Sequence, residues 1–474
     1  MMQTGPIVEP CWPIYSSFHS ILDQSDLNVD LCTRRKYHDF ANPTIITDDF
    51  DDVRRWLCDD DQRMEEIPTD SYIWSPNMSM NSNDSCTHVP YETQSSMVNK
   101  DDVMDVESQT GYQNLLMAHA ESTGLGQQKL AEVIKKCIVE KASPNGPAIE
   151  RLAFNLFKCG ENQEQQYLIH ESNKNFKNAF RAFYEIFPYG RFAHFAANST
   201  IIEAVPFHAE SIHIVDFNLC IGSQWPPVIE DVARMNKSLI ITSIKHHQYQ
   251  DSQFEQTKRQ LCNFARSFGL NLKVQEIETA QIAKILDGGE FVVFNCMIEL
   301  PHMGSTRTRL EVMDFLKLAQ EVLVKNKGII TLGDGEDFDE KLKKSSDFSA
   351  FFNKYLTHYK ALYESMEWGF PSYLNEARIT METLFVAPLV SSESWFQKWK
   401  YGRENMVFEK VLGLNGWPII LESLNEAKEL VKEGESPYRI RIEGDNGNQM
   451  VLEWNETPLV RVSTFTFELY SIIK

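Results

Sequence analysis

Few residues in this chain are placed to do chemistry, and most of them end short apolar runs. The run Ser211-Ile-His-Ile-Val-Asp-Phe217 is followed by a turn, Asn218 to Gln224, that holds one glycine, Gly222. Where such a strand opens an α/β layer, a ligand would lie beyond its carboxyl end, with glycines admitting the backbone to a phosphate or adenosyl group. Asp216 stands where a cofactor-binding carboxylate would be, although an aspartate there also serves as a turn or helix cap. The glycine-rich GxGxxG turn is absent. A second run, Ser238 to Ile244, ends in Lys245-His246-His247, giving cationic potential instead of the acid that would hold ribose hydroxyls. Gly333-Asp-Gly335 reads first as a turn and only second as a phosphate contact. Asn295-Cys-Met297 lacks the proline and aromatic residue with which amino-methylating enzymes grip a base.

Other reaction classes fare no better. GxSxG, a Walker A loop and HExxH are all missing. His246-His247 with Asp251 offers metal donors, but adjacent residues of a strand face opposite sides. His213, inside a strand, fits a structural histidine with satisfied hydrogen bonds. The nine cysteines (Cys11, Cys32, Cys58, Cys86, Cys137, Cys159, Cys220, Cys262 and Cys296) have at least twenty residues between neighbours, and no CxxC occurs. Reduced thiols in cytosol or nucleus are therefore expected, with neither a disulfide framework nor a short-spaced zinc site. The sequence predicts no catalytic residue, no cofactor and no metal.

Composition points the same way. The chain has 474 residues, 42% of them hydrophobic, enough for a sizeable core. No stretch approaches the ~18 to 20 consecutive apolar residues of a membrane span, and Met1 to Pro10 does not read as a secretory signal. The 46 Lys+Arg against 67 Asp+Glu give a net charge of −21. That balance argues against a protein held on nucleic acid mainly by neutralising phosphates, although a local basic patch stays open. Residues 1–110 carry 21 acidic and 7 basic side chains, a net −14, including Asp48-Asp-Phe-Asp-Asp52 and Asp59-Asp-Asp61. Such a segment buries too little apolar surface to offset chain entropy, so residues 1–110 are expected to be a mostly disordered acidic arm. Its islands (Trp12, Tyr15, Phe18; Phe50, Trp56, Leu57; Tyr72, Trp74) suit an acidic-hydrophobic activation or docking segment, or simply a solvated tail.

From Gly111 onward the elements that must position these residues are legible. Leu115, Leu116, Leu125, Leu130, Val133, Ile134 and Ile138 recur at helical spacing, as do Phe176, Phe180, Phe183, Tyr184 and Phe187 before Pro188. The leucine-rich helices are either ordinary core or a face that pairs with a partner helix. An α/β alternation follows: strand 211–217, helix 225–235, strand 238–244, helix 252–268, strand 270–277, strand 291–296, helix 307–325 and strand 328–332. Buried strands separated by amphipathic helices predict a Rossmann-like, mostly parallel sheet under an α-helical cap. Residues 338–368 and 373–385 read as helical. Tyr438 to Ile442 and Met450 to Trp454 flank Asp445-Asn-Gly447, a hairpin turn, and Val460 to Phe467 gives a last strand. Late antiparallel strands on a parallel sheet resemble the class I methyltransferase arrangement.

The string Ile212-His-Ile-Val-Asp216, with Gln224-Trp-Pro-Pro227 after it and leucine-rich blocks on both sides, resembles the plant GRAS family of transcriptional regulators. The family's Val-His-Ile-Ile-Asp core is here varied at Ile212 and Val215. The resemblance covers 111–474 as a GRAS domain: leucine repeat I at 111–170, the VHIID region at 182–247, leucine repeat II at 256–288, the PFYRE region at 299–388 and the SAW region at 391–466. Within these blocks stand Tyr359 to Glu367, the pair Arg378 and Glu382, and Trp395, Trp399, Trp417 and Trp454. The closing Ser-Ala-Trp reads Ser463-Thr464-Phe465. Arg191-Phe-Ala-His-Phe195, Leu300-Pro-His-Met-Gly304 with Arg307 and Arg309, and Trp395-Phe-Gln-Lys-Trp399 are similar to the nodulation-signalling-pathway-2-like branch.

The resemblance implies a nuclear, non-enzymatic regulator whose methyltransferase-like core has become an interaction scaffold. It further implies homo- or heterodimers paired through the first leucine-rich region, with a second GRAS protein contacting promoter DNA, as in symbiosis-related signalling. The residues expected to pair are Leu115, Leu116, Leu125, Leu130, Ile134 and Ile138. Two alternatives stand beside this reading. One is binding of S-adenosylmethionine, or methyl transfer, in the groove beside Asp216 and Gly222. The other is direct DNA contact through Lys245, Arg307 and Arg309, or through Lys398, Lys400 and Arg403.

Overall fold

The computed structural model describes residues 100–157, 176–245, 251–286, 289–303, 309–336, 347–370, 372–404 and 414–467. The chain divides into two units, Cys32–Tyr112 and a larger one of Met1–Leu31 with Gln113–Lys474. The arm expected over 1–110 lies outside the described residues except for the start of one helix. Apart from the first thirteen residues of α1, 100–112, all the architecture that follows belongs to the larger unit.

Five helices open the fold: α1 (Lys100–Gly124), α2 (Gln128–Val139), α3 (Ala148–Leu156), α4 (Phe176–Ile186) and α5 (Pro188–Ala204). The first runs across the boundary expected at 110. Then come β1 (Ser211–Asp216), α6 (Trp225–Arg234), β2 (Ser238–Ile244), α7 (Asp251–Ser267), β3 (Leu272–Ile277), α8 (Thr279–Ile285), β4 (Phe291–Ile298), α9 (Arg309–Leu323) and β5 (Gly328–Asp334). The second half adds α10 (Phe348–Gly369), α11 (Asn375–Met381), α12 (Ser392–Glu404), β6 (Asn415–Gly416), α13 (Leu421–Leu430), β7 (Tyr438–Glu443), β8 (Gln449–Trp454) and β9 (Thr457–Thr466).

The sheet order is β3-β2-β1-β4-β5-β9-β8-β7, with β6 on β9. Strands β1 to β5 are parallel, and β9, β8 and β7 continue antiparallel. Chain order reverses between β1 and β4, which makes their carboxyl ends the switch point of the sheet. The strands read as unbroken apolar runs because both faces are covered. Ile212 and Ile214 join Leu239, Ile241 and Val293 under Trp225, Val228 and Leu261 of α6 and α7. Val215 joins Val292, Phe294 and Ile330 under Phe315 of α9. Phe465, standing where the family closes on Trp, is buried in this second cluster and pairs with Ile330 of β5.

Several elements differ from the sequence expectation. The β9 strand starts at Thr457, because Asn455 and Glu456 form a two-residue hairpin at φ +44° and +68° that turns β8 straight back. No glycine marks that turn. Helices α5, α8, α12 and α13 and the short strand β6 were not expected at all, and Pro188, read as a helix stop, opens α5. The helical stretch over 373–385 is α-helical only to Met381, then widens into a π turn, Glu382–Val386.

The Asn455-Glu456 turn holds two L residues in the left-handed region, where Asn-Gly is the favoured pair. Glu456→Gly should therefore stabilise the fold by about 1 kcal/mol, read as a higher urea midpoint; an unchanged or lower midpoint would mean that the turn is not strained.

Candidate functional site: a closed crevice at the switch point

Asp216 ends β1 on the floor of the crevice, but its carboxylate is already used. Its Oδ2 accepts the indole N–H of Trp225 at 3.0 Å, and its Oδ1 accepts Asn295 Nδ2, from β4, at 3.0 Å. Asn295 and Gln224 exchange amide hydrogen bonds in both directions, at 3.1 and 3.0 Å. Thr331 Oγ1 of β5 donates to Asn295 Oδ1 at 2.8 Å. Gln224 donates to Asn198 Oδ1 of α5 at 3.1 Å, and Asn198 Nδ2 donates back to the Gln224 carbonyl at 2.8 Å. All six side chains are buried. Polar groups that would face a ligand in an open crevice here bond to one another, as buried polar groups must.

The turn above this network is packed shut as well. Gly222 sits at φ +75°, and a Cβ there would come within 2.9 Å of Thr257 and 3.1 Å of Leu261 on α7. Thr257 Oγ1 also donates to the Cys220 carbonyl at 3.1 Å. The one glycine of the loop thus lets α7 approach, not a phosphate. Lys245 follows β2 and is exposed, whereas His246 and His247 lie outside the described residues. Among the described residues no group of three or more His, Cys, Asp or Glu side chains is placed to hold a metal.

The other VHIID residues are structural. Ile212, Ile214 and Val215 are fully buried. His213 Nδ1 lies 2.7 Å from Glu290 and Nε2 lies 2.8 Å from Thr242 Oγ1. Burial lowers its pKa, with the Glu290 carboxylate opposing.

Two buried charge clusters join distant elements, one tying the cap to the late helices and one tying α12 to the ends of β4 and β5. Arg151 of α3 donates to Glu382 at 3.2 Å, to Glu367 at 3.1 Å and to the Tyr363 carbonyl at 3.3 Å. Arg378 donates to the other Glu382 oxygen at 2.9 Å, so the expected i,i+4 pair exists and carries a second arginine. Beyond β4 and β5, Lys398 of α12 bridges Glu299 at 3.3 Å and Glu336 at 2.7 Å. Tyr359 and Tyr355 donate to Glu336 at 2.7 and 3.1 Å. Burial, then the Glu336 charge, raises the Glu299 pKa to about 8. Burial alone would raise Glu336 too, but Lys398 and Tyr359 hold it below the usual range. Sequence reading missed Glu299 and Glu336; each follows an apolar strand, which was the available signal.

The strings that suggested a branch meet in space. His194 and His302 stack edge-to-face with rings 5.0 Å apart, both kept neutral by burial, His302 at about 3. Lys398, from the tryptophan string, reaches Glu299 just before Leu300. This corrects one expectation: Lys398 is committed to two carboxylates and is not a phosphate contact. Lys400 is exposed, while Arg307 and the side chains of Arg309 and Arg403 are outside the described residues.

The expected pairing residues also split. Leu116 and Ile138 are fully buried, so they hold the fold together instead of meeting a partner. Leu115 and Ile134 are half-buried. Leu125 is 66% and Leu130 49% exposed, joined by Val133 at 58%, around the bend from α1 into α2.

Two predictions follow from these clusters. Asp216→Asn replaces one of two acceptors by a donor, leaving a buried N–H facing Trp225 or Asn295, and should cost about 2–3 kcal/mol in chemical denaturation; a loss below about 0.5 kcal/mol would contradict the network. For Glu299 the folded pKa near 8 exceeds the unfolded value of 4.5, so the native state binds the extra proton between them. Stability from this group is full below 4.5 and is lost as pH rises through 8. Glu299→Gln, which cannot ionise, should therefore gain on the wild type in melting temperature from pH 5 to pH 9; a constant difference would refute the buried, protonated carboxyl.

The match to known proteins is broad. The model of the GRAS domain family matches residues 112–466. Protein NODULATION SIGNALING PATHWAY 2 of Medicago truncatula is 29% identical over 393 residues, covering 74% of this chain and 75% of that protein. Its namesake in Lotus japonicus is 28% identical over 385 residues, covering 74% and 75%. DELLA protein RGL3 of Arabidopsis thaliana is 23% identical, covering 74% of this chain and 68% of that protein. The crystal structure of SCL7 from Oryza sativa shares the fold, with a TM-score of 0.51 at 20% identity, covering 74% of this chain and 98% of that one. The chain belongs to the GRAS family of plant transcriptional regulators.

Proposed function

We propose that this protein is a non-enzymatic transcriptional co-regulator of symbiosis-related signalling in the nucleus. It acts by pairing with another GRAS chain, or with a second copy of itself, and the partner makes the promoter contact. The observation that carries the non-enzymatic part is the closed network at Asp216, Asn295, Gln224 and Trp225, which uses the polar groups a cofactor would need. Names of relatives support the signalling context. Among the described residues no helix is long and apolar enough to cross a membrane.

The pairing surface is the exposed apolar bend of α1 and α2, with Leu125, Leu130 and Val133 at its centre. Contiguous exposed apolar side chains on a helical hairpin are what a partner helix can bury. The net charge of −21 favours reaching DNA through a partner.

Leu125→Asp with Leu130→Asp should leave the melting temperature within a few degrees, because both side chains are about half or more exposed. The same double variant should abolish the dimer mass in size-exclusion chromatography with light scattering, alone or mixed with a second GRAS chain. It should also remove the partner-dependent shift of promoter DNA. A variant that folds and still pairs would move the interface elsewhere. A wild-type chain that shifts DNA alone would favour direct contact through exposed cations such as Lys245 and Lys400.

A further inference from the structure

A cavity of about 240 Å³ lies between α5, the start of α6 and α13, beside the closed crevice. Gln224 lines it but turns its amide to Asn295 and Asn198. Phe195, Ile202, Pro226 and Ile420 make an apolar wall. Ile420 is 45% exposed and its neighbour Leu421 70%, so the apolar lining continues to the surface.

The charged groups of the cavity are mostly acidic. Glu203 of α5 takes a hydrogen bond from Ser423 on one carboxylate oxygen. Its other oxygen is buried and has no hydrogen-bond partner among the described residues. Glu422 and Glu426 of α13 line the same space, and burial together with their charges raises the Glu203 pKa. Glu185 and Asp231 also line it but are held by Arg181 at 3.1 Å and Arg234 at 2.7 Å. Arg191 and His194 are the basic side chains of the described lining, and burial keeps His194 neutral.

A buried carboxylate oxygen without a donor, next to two further carboxylates, is relieved either by taking a proton or by meeting a cation. An apolar channel leading to such a group selects a cation with a hydrocarbon stem. We propose that this cavity binds a primary aliphatic amine, its ammonium donating to Glu203 and its stem lying along Phe195, Ile202 and Ile420. The amine is either a free small molecule or the lysine side chain of a bound protein, and the site takes the same chemistry from both.

Calorimetric titration of the full chain at neutral pH tests this with n-hexylamine, n-hexanol and hexanoate. Hexylamine should bind with a Kd of about 1 mM or tighter, and the alcohol and the acid at least tenfold more weakly. Glu203→Gln should weaken hexylamine at least tenfold. Ser199→Phe, which fills the cavity from α5 without touching the carboxylates, should do the same and decides the matter if the first variant does not fold. Nα-acetyl-lysine amide identifies the source: binding equal to hexylamine assigns a protein lysine, and much weaker binding assigns a free amine. Absence of hexylamine binding, equal binding of hexanol, or binding unchanged in the folded variants would overturn the proposal.

Discussion

The hydrogen bonds that Asp216 accepts from Trp225 and Asn295 set what the rest of the molecule can be. They join the first and fourth strands at the point where the sheet reverses its order, and they carry the start of α6 with them. Asn295 then passes the constraint to Gln224 and Thr331, and Gln224 passes it to Asn198 of the cap. A crevice that in an open α/β sheet would receive a ligand is instead where strand ends, crossover helix and cap are fastened together. The polar groups are there, but each is saturated by a neighbour.

The same solution recurs with charges. Arg151 and Arg378 share Glu382, and Lys398 bridges Glu299 and Glu336, so elements far apart in sequence are fixed by ion pairs in the interior. Removing one partner from such a cluster strands the others in a low-dielectric interior, so each cluster fixes one arrangement of its elements. Trp395 stacks on Tyr359 at 5.3 Å, and Tyr359 in turn donates to Glu336 of the Lys398 cluster. With the core closed, we propose the exterior of the cap as the place for molecular contact. There, Leu125, Leu130 and Val133 stay exposed despite their cost in water.

Much of this was legible in the residues. Unbroken apolar strands told of a sheet covered on both faces, and β2 ran over its expected residues because Ser238 and the cationic end after Ile244 bound it clearly. The Arg378–Glu382 pair followed from helical spacing alone. Long-range closure was not legible. Nothing local to Asn295 announces that it will meet Asp216, Gln224 and Thr331, since that requires the register of three parallel strands. Helical spacing placed Leu116 and Leu125 in one class, yet α1 ends at Gly124, so Leu116 is buried on the helix while Leu125 is exposed in the turn after it. Lys398 looked like a solvated cation, as its partners lie far away in sequence. The Asn455-Glu456 hairpin was hidden because its backbone takes a glycine conformation without a glycine.

Closure of the crevice is the central claim, and it is tested most directly by titrating S-adenosylmethionine into the full chain in a calorimeter. The account predicts no saturable heat at cofactor concentrations up to about 1 mM, because Asp216 and its neighbours are buried and already bonded to one another. A saturable heat with a micromolar Kd would contradict it and would mean that the network opens to admit a ligand.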